Sequence, residues 1–159
     1  MKSFLSRRRG FTLIELLLVI GIIAILASIV IIAVNPTKQL GKARNAQRRS
    51  DVNTILNAVY QYAIDHNGNL PGTVGTSSID ATVRPVCQLD MPEATCIAAG
   101  FGGVSLRSLS GTYIVSVPKD PSLTLVGSGT RYMISRDTNS RITVSAPGAE
   151  GGETITVTR

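Results

Sequence analysis

The fold is decided by the sequence Gly10-Phe11-Thr12-Leu13-Ile14-Glu15-Leu16, which opens an apolar run that ends at Val34. From Leu16 to Val34 there is no charged residue, and Ser28 carries the one hydroxyl group. As an α-helix this run would extend about 28 Å, close to the ~30 Å thickness of the hydrocarbon layer of a bilayer. The sequence therefore predicts a membrane-spanning helix joined to a polar remainder.

A secretory signal peptide is the first alternative for the apolar run. Signal peptides usually have an apolar stretch of about 7–15 residues that ends in a small-x-small cleavage site. The run here is longer, and Ile25-Leu26-Ala27 matches such a site poorly. A retained anchor is therefore the better interpretation.

Charge is unevenly distributed along the chain of 159 residues. Sixteen basic and ten acidic residues give a net charge of +6. Four of the basic residues lie in the first ten positions: Lys2, Arg7, Arg8 and Arg9. If that leader is removed, the net charge falls to near +2, so the basic character does not by itself indicate a nucleic-acid partner.

Five further basic residues follow the apolar run: Lys38, Lys42, Arg44, Arg48 and Arg49. With cations on both sides, the positive-inside rule leaves the orientation of the span open. We interpret these five residues as a solvated helix face, or as contacts between neighbouring chains. DNA capture is a weakly supported alternative, since clustered cations can meet phosphates but no aromatic residues are interleaved with them.

Glu15 is an acidic residue at the start of an apolar helix. A carboxylate at the centre of a membrane helix costs about 2.5–3.5 kcal/mol, and less near the interface, where it is solvated. If the chain is cut between Gly10 and Phe11, the new α-amine lies one helical turn from Glu15, or beside the Glu15 of a neighbouring chain. An amine and a carboxylate buried together neutralise each other, whereas each alone is expensive.

At these residues the chain resembles the type IV pilin family, including the pseudopilins. The resemblance rests on the basic leader of residues 1–10, the Gly10–Phe11 junction, Thr12-Leu13-Ile14-Glu15 and the unbroken apolar helix. It implies that a prepilin peptidase cleaves after Gly10 and N-methylates Phe11. It also implies that Glu15 pairs with the amine of an adjacent subunit during assembly.

The resemblance further implies a structural subunit, the major pilin of a type IV pilus. The precursor would lie in the cytoplasmic membrane with its leader inside, and the assembled pilus would be extracellular. Its partners would be other copies of the chain in a helical homopolymer, prepilin peptidase, the membrane assembly machinery and minor pilins. A type II secretion or competence pseudopilin stays open. A monomeric membrane-anchored binding protein is an alternative from another class, but it does not explain Glu15.

The helix is expected to break just after the span. Pro36 lacks a backbone donor and clashes with the preceding turn, and Gly41 is a second weak point. These residues predict either a bend that lets the helix stretch in a filament or a plain end of the membrane helix.

The next segment has the spacing of an amphipathic helix that runs to about His66 and ends at Asn67-Gly68. Its apolar positions recur at helical intervals: Val52, Ile55, Leu56, Val59 and Ala63. Beyond it, β-branched runs between turn signals predict four antiparallel strands at Thr112–Val117, Thr130–Ser135, Arg141–Ala146 and Thr154–Thr158.

The predicted class is α+β, with a long N-terminal helix (a membrane span plus an amphipathic half) packed on a small antiparallel sheet, in a pilin-like arrangement. The predicted divisions are a leader at 1–10, a membrane or filament-core helix at 11–34, an amphipathic helix at 35–66 and an exterior domain at 67–159. Within that domain, residues 67–110 predict a long loop with short elements.

Cys87 and Cys96 are the two cysteines of the chain. Their spacing fits no zinc or thioredoxin pattern, and an even count after a membrane segment favours a disulfide over two unlinked thiols. A bridge closing a loop of this length contributes about 2.5–3 kcal/mol on the chain-entropy estimate.

The sequence offers little for catalysis, and we expect neither an enzyme nor a cofactor. His66 is the lone histidine, and no nucleophile elbow, phosphate loop or zinc-binding helix motif occurs. Asp120, Asp137 and Asn139 could supply calcium ligands, but two acids in separate turns are weak support for a metal site.

Overall fold

The computed structural model describes residues 10–72, 79–98, 101–123 and 129–159. The chain divides into two compact units between Gln39 and Leu40. The helices are α1 (Leu13–Val34), α2 (Pro36–Asp65) and α3 (Glu93–Ile97), with a 3₁₀ turn at Arg107–Leu109. The strands are β1 (Arg84–Pro85), β2 (Met133–Arg136), β3 (Ile142–Ser145) and β4 (Thr156–Thr158).

The chain changes from α1 to α2 at Asn35. This residue has a left-handed backbone (φ 46°), which ends α1, and Pro36 then occupies the first position of α2, where a backbone donor is not needed. The Asn35 carbonyl accepts hydrogen bonds from the amides of Lys38 and Gln39, at 3.1 and 3.2 Å. Its side-chain oxygen accepts from the Thr37 hydroxyl at 2.8 Å. Asn35 therefore closes one helix and starts the next.

Gly41 lies inside the continuous helix α2, whereas the sequence analysis placed it as a second weak point. A Cβ atom at this position would lie 3.1 Å from Oε2 of Glu150. In this structure the glycine therefore allows close packing and does not interrupt the helix.

The predicted amphipathic face of α2 is confirmed. Val52, Ile55, Leu56 and Val59 are fully buried, and Ala63 is half-buried. The helix ends as the sequence indicated, because Asn67 and Gly68 have positive φ angles and the Gly68 amide donates to the Ala63 carbonyl at 2.7 Å.

The four strands form one antiparallel sheet in the order β1-β2-β3-β4. Ile134 of β2 is paired with Val144 of β3, and Val144 with Val157 of β4. Ile134, Ile142 and Val144 are buried in the same core as the apolar face of α2. The α+β class with a small antiparallel sheet is therefore confirmed.

The strand predicted at Thr112–Val117 is wrong, while the other three are present in shorter form. Gly111, at φ 85°, starts a compact turn in which the amides of Tyr113 and Ile114 donate to the Leu109 carbonyl at 3.0 and 3.1 Å. These bonds occupy the backbone groups that a strand would offer to a neighbour. The fourth strand is instead Arg84–Pro85, at an edge of the sheet, where a proline is tolerated.

The predicted disulfide between Cys87 and Cys96 is present, with the Cα atoms 5.8 Å apart. It is buried together with Met91, against the half-buried ring of Phe101. A Cβ atom on Gly103 would lie 2.5 Å from Sγ of Cys87, so only glycine fits beside the bridge.

Arg48 is fully buried, so the interpretation of the basic stretch as a solvated face is wrong for this residue. Its guanidinium group donates to both carboxylate oxygens of Asp120, at 2.8 and 3.0 Å. It also donates to Ser122, Asn45 and Glu150, at 2.8, 2.9 and 3.1 Å. These contacts satisfy the fork-shaped donor set of arginine, which makes its burial tolerable.

Glu150 is the second centre of this polar network. Its carboxylate accepts two hydrogen bonds of 2.6 Å from Arg44, and its backbone exchanges two bonds with the Asn45 amide at 2.8 and 2.9 Å. Further along the helix, Arg49 pairs with Glu153. Ion pairs therefore attach α2 to the domain as far as Arg49, and apolar packing begins at Val52. Between them, the buried Asp51 carboxylate accepts a hydrogen bond from the Tyr132 hydroxyl at 2.6 Å.

The network lowers the pKa of two carboxyl groups. Burial acts to raise the pKa of Asp120, but hydrogen bonds from Arg48 and Ser122 outweigh it and lower the pKa to about 2. The hydrogen bonds from Arg44 lower the pKa of Glu150 to about 2, against a smaller effect of desolvation. Both groups therefore stay charged in mildly acidic solution.

We predict that Arg48→Met lowers the free energy of unfolding by about 3–5 kcal/mol, because it leaves the Asp120 carboxylate buried without a counter-charge. The matched control is Arg49→Met, whose pair is exposed and contributes little. Urea unfolding in detergent, followed by near-UV circular dichroism of the tyrosines, measures both variants. Equal losses in the two variants would contradict the buried network.

We predict a loss of stability in acid that depends on Glu150. Because its pKa is lower in the folded state, the unfolded chain takes up the proton first, between the ordinary value of 4.5 and about 2. The stabilisation is therefore complete above about pH 5 and is lost as the pH falls through this window. Unfolding midpoints measured from pH 7 to pH 2 should fall less steeply for Glu150→Gln than for the wild type. Parallel curves would refute the assignment.

Candidate functional site

The segment that starts α1 holds Glu15 in a defined position. Thr12 is the N-cap residue, and its hydroxyl oxygen accepts a hydrogen bond from the Glu15 amide at 3.3 Å. In return, Oε2 of Glu15 accepts from the amide and the hydroxyl of Thr12, at 2.8 and 2.7 Å. This reciprocal capping box satisfies backbone donors at the first turn and places a negative charge at the positive end of the helix.

The Gly10–Phe11 junction is open to solvent. Gly10 is exposed, and the Phe11 side chain is 88% exposed. A Cβ atom on Gly10 would meet nothing within 4 Å, and its φ is not in the left-handed region. Nothing in the described part of the chain therefore requires a glycine at this position, and a requirement for it would come from another molecule that acts on the junction.

All of α1 is exposed, on every side of the helix. It is also the one helix in the described part of the chain that is long and apolar enough to cross a membrane. Its hydroxyl group, on Ser28, donates to the Ala24 carbonyl at 2.8 Å and so needs no outside partner. A helix of this kind requires lipid or other apolar helices around it.

The two aspartates weighed as calcium ligands are already paired with arginines. Asp120 lies in the network of Arg48, and Asp137 accepts from Arg141 Nε at 2.8 Å. The Asp137 carboxylate also accepts from the amide of Asn139 at 2.9 Å. Across the described ranges, no group of three or more potential metal-binding side chains comes together.

His66 is part of an aromatic contact at the end of α2. Its ring stacks on that of Tyr62 with centroids 3.8 Å apart, and Nδ1 lies 2.9 Å from the Tyr62 carbonyl oxygen. Tyr113 meets Tyr62 edge-on and donates its hydroxyl to Asp65 at 2.8 Å. These contacts account for the histidine as a packing residue at the helix end.

The sequence analysis missed the buried polar network, although one signal for it was present. Arg48 lies four residues before Val52, and Asn45 seven residues before it, so both continue the apolar face at helical spacing. Position on that face predicts burial, which the structure has at both residues. Asp120, the partner of Arg48, is 72 positions away in the sequence, and no local pattern connects the two.

Comparison with known families gives one result. Residues 5–31 match the family model described as the prokaryotic N-terminal methylation motif. Neither the curated proteins nor the solved structures contain a match. The matched residues include the open junction at Gly10–Phe11, the capped Glu15 and most of the exposed apolar helix. The chain thus carries the N-terminal methylation motif that is the signature of type IV prepilins and pseudopilins.

Proposed function

We propose that this protein is the major structural subunit of a type IV pilus. The observation that carries the proposal is the capped Glu15 at the head of a helix whose apolar surface is exposed on all sides. In this account a prepilin peptidase cleaves after Gly10 and methylates Phe11. The subunit then polymerises by burying α1 among the α1 helices of other subunits.

Cleavage changes the chemistry around Glu15. A new amine appears at Phe11, four residues before a carboxylate that already lies over the first helical turn. In a water-free filament core, a buried amine and a buried carboxylate each need a counter-charge, and each can serve as the counter-charge of the other. Pairing between neighbouring subunits would fix the axial register of helices that otherwise offer only apolar surface.

The polar outer domain supports a surface filament over a type II secretion or competence pseudopilin. Residues from 67 onward are rich in Gly, Ser and Thr, and the disulfide suits an oxidising exterior. The leader is then cytoplasmic, the precursor is anchored in the cytoplasmic membrane and residues 67–159 lie outside. Minor pilins and the membrane assembly machinery complete the set of partners.

The junction is tested by replacing Gly10 with leucine. We predict that Gly10→Leu accumulates as uncut precursor, because the side chain obstructs the peptidase although this chain has room for it. Gly21→Leu is the control, since it makes the same change at an equally open position inside the helix. Immunoblots of membrane fractions compare precursor with product. Normal processing of Gly10→Leu would refute the assigned junction.

The role of Glu15 is tested by two substitutions that separate capping from charge. Glu15→Ala removes both, whereas Glu15→Gln keeps an acceptor for the Thr12 amide and loses only the charge. We predict that both variants insert into the membrane and are processed, and that neither forms filaments in normal amounts.

The control for charge is Glu93→Gln, because the Glu93 side chain is exposed and takes part in no ion pair in the described structure. Electron microscopy and sheared-pilus yield report assembly. If Glu15→Gln assembles as well as Glu93→Gln, the charge of Glu15 has no part in assembly and its contribution is capping alone.

A further inference from the structure

The sheet has one edge that the chain covers and one that it leaves open. At the β1 edge, the Val104 amide donates to the Pro85 carbonyl at 2.8 Å, and the Cys87 amide donates to the Val104 carbonyl at 3.0 Å. The opposite edge is β4, which pairs with β3 and with no other strand in the described part of the chain. An added strand therefore finds a place beside β4 and not beside β1.

The open backbone groups of β4 belong to Thr156 and Thr158. Ile142 of β3 and Arg159 each donate an amide hydrogen to the carbonyl of the other, at 2.8 and 3.1 Å. Because the backbone groups of successive residues point to alternate sides of a strand, those of Thr158 and Thr156 face away from β3. Both threonines are exposed, and these backbone groups have no partner among the residues that the structure describes.

The sequence of this edge favours a further strand. Residues 154–158 are Thr-Ile-Thr-Val-Thr, five consecutive β-branched residues, which are the type most enriched in strands. Proteins usually protect an exposed edge strand with a charged side chain, a proline or a bulge. This run contains no charged residue, proline or glycine, so β4 is an unprotected edge.

The two residues that flank this run indicate which strand would join it. Glu153 precedes the run and Arg159 follows it, each three positions from Thr156. If the same segment of a second copy pairs antiparallel with Thr156 opposite Thr156, Glu153 of each copy lies opposite Arg159 of the other. Parallel pairing would instead place like charges opposite each other, which is unfavourable.

Both flanking charges are able to take such a partner. Arg159 donates to the neutral side chain of Asn57 at 2.8 Å and makes no ion pair in the described structure. Glu153 pairs with Arg49 at the surface, and its carboxylate can accept from a second cation. The segment is therefore complementary in charge to a second copy of itself.

We propose that β4 binds β4 of a second copy of this chain, so that the two sheets join into one antiparallel sheet. Main-chain hydrogen bonds at Thr156 and Thr158 supply the attraction, and the Glu153–Arg159 pairs set the register. Because both copies use the same surface, the contact closes after two chains. The proposal does not rest on the pilus function, since β4 lies wholly in the compact unit of residues 40–159.

A cysteine at the centre of the contact tests the pairing. Residue 156 would lie opposite itself, with Cα atoms about 5.5 Å apart, which a disulfide can span. The full-length chain, purified in detergent with its native disulfide intact, is mildly oxidised and resolved on non-reducing gels. We expect at least tenfold more disulfide-linked dimer for Thr156→Cys than for Thr138→Cys, an exposed control between β2 and β3. Equal cross-linking of these two variants would overturn the proposal.

Two further variants test the antiparallel register. Thr154→Cys and Thr158→Cys should each stay monomeric alone and should cross-link when mixed, because position 154 of one copy lies opposite position 158 of the other. Self-linkage of either variant at the level of Thr156→Cys would indicate parallel or non-specific association and would contradict the register. Linkage of Thr156→Cys in host cells to a different protein, and not to itself, would assign the edge to another partner and overturn the proposal.

A charge exchange at the centre controls for variants that fold poorly. When Thr156→Lys is added to both the Thr154→Cys and the Thr158→Cys chain, two lysines lie opposite each other, and the mixed cross-link should fall more than tenfold. With Thr156→Lys in one chain and Thr156→Glu in the other, the cross-link should return, which a folding defect would not allow. A cross-link that is insensitive to these charges, or that stays lost in the Lys–Glu mixture, would refute the contact.

Discussion

The rest of the structure depends on one constraint, which is that α1 exposes apolar side chains on every side. Burial of such surface contributes roughly 25 cal/mol per Å², so a helix of this kind is stable only within lipid or among other apolar helices. Charge is accordingly absent from the body of α1. Glu15 lies in the first turn, where Thr12 satisfies it, and Lys38 follows beyond Asn35. An acid near the middle of the helix would have no comparable partner.

The second helix, α2, is instead attached to the polar outer domain. Two kinds of contact hold it there, ion pairs and apolar packing. As far as Arg49 the contacts are ion pairs to Glu150, Asp120 and Glu153. From Asp51 onward the helix combines packing into an apolar core with neutral hydrogen-bond donors such as the Tyr132 and Tyr113 hydroxyl groups. Ion pairs respond to pH and salt, whereas apolar packing responds weakly to either. The ion pairs at Arg44, Arg48 and Arg49 are therefore the part of this attachment that depends most on pH and salt.

Much of the fold could be predicted because its signals are local. The uncharged run of α1, the spacing of Val52 and Val59, and the Asn67-Gly68 end of α2 are each patterns within a few residues of one another. The strand prediction at Thr112–Val117 was wrong because β-branched residues favour a strand only when a neighbouring strand is available. Gly111, with its positive φ angle, directs the chain into a turn instead. Arg48 was missed because a charged residue is ordinarily assigned to the surface, and its partner Asp120 is distant in sequence. The charge role of Glu15 stays a prediction, because it requires a second subunit.

The most direct test of the central claim is the intact mass of the protein taken from the surface fraction of its own host. The account predicts residues 11–159 with one methyl group added at Phe11 and two hydrogens lost to the Cys87–Cys96 bond. That mass would establish cleavage, methylation and the disulfide in a single measurement. The mass of the uncut chain, or a terminus within the apolar run, would contradict the account and favour an anchored or secreted binding protein.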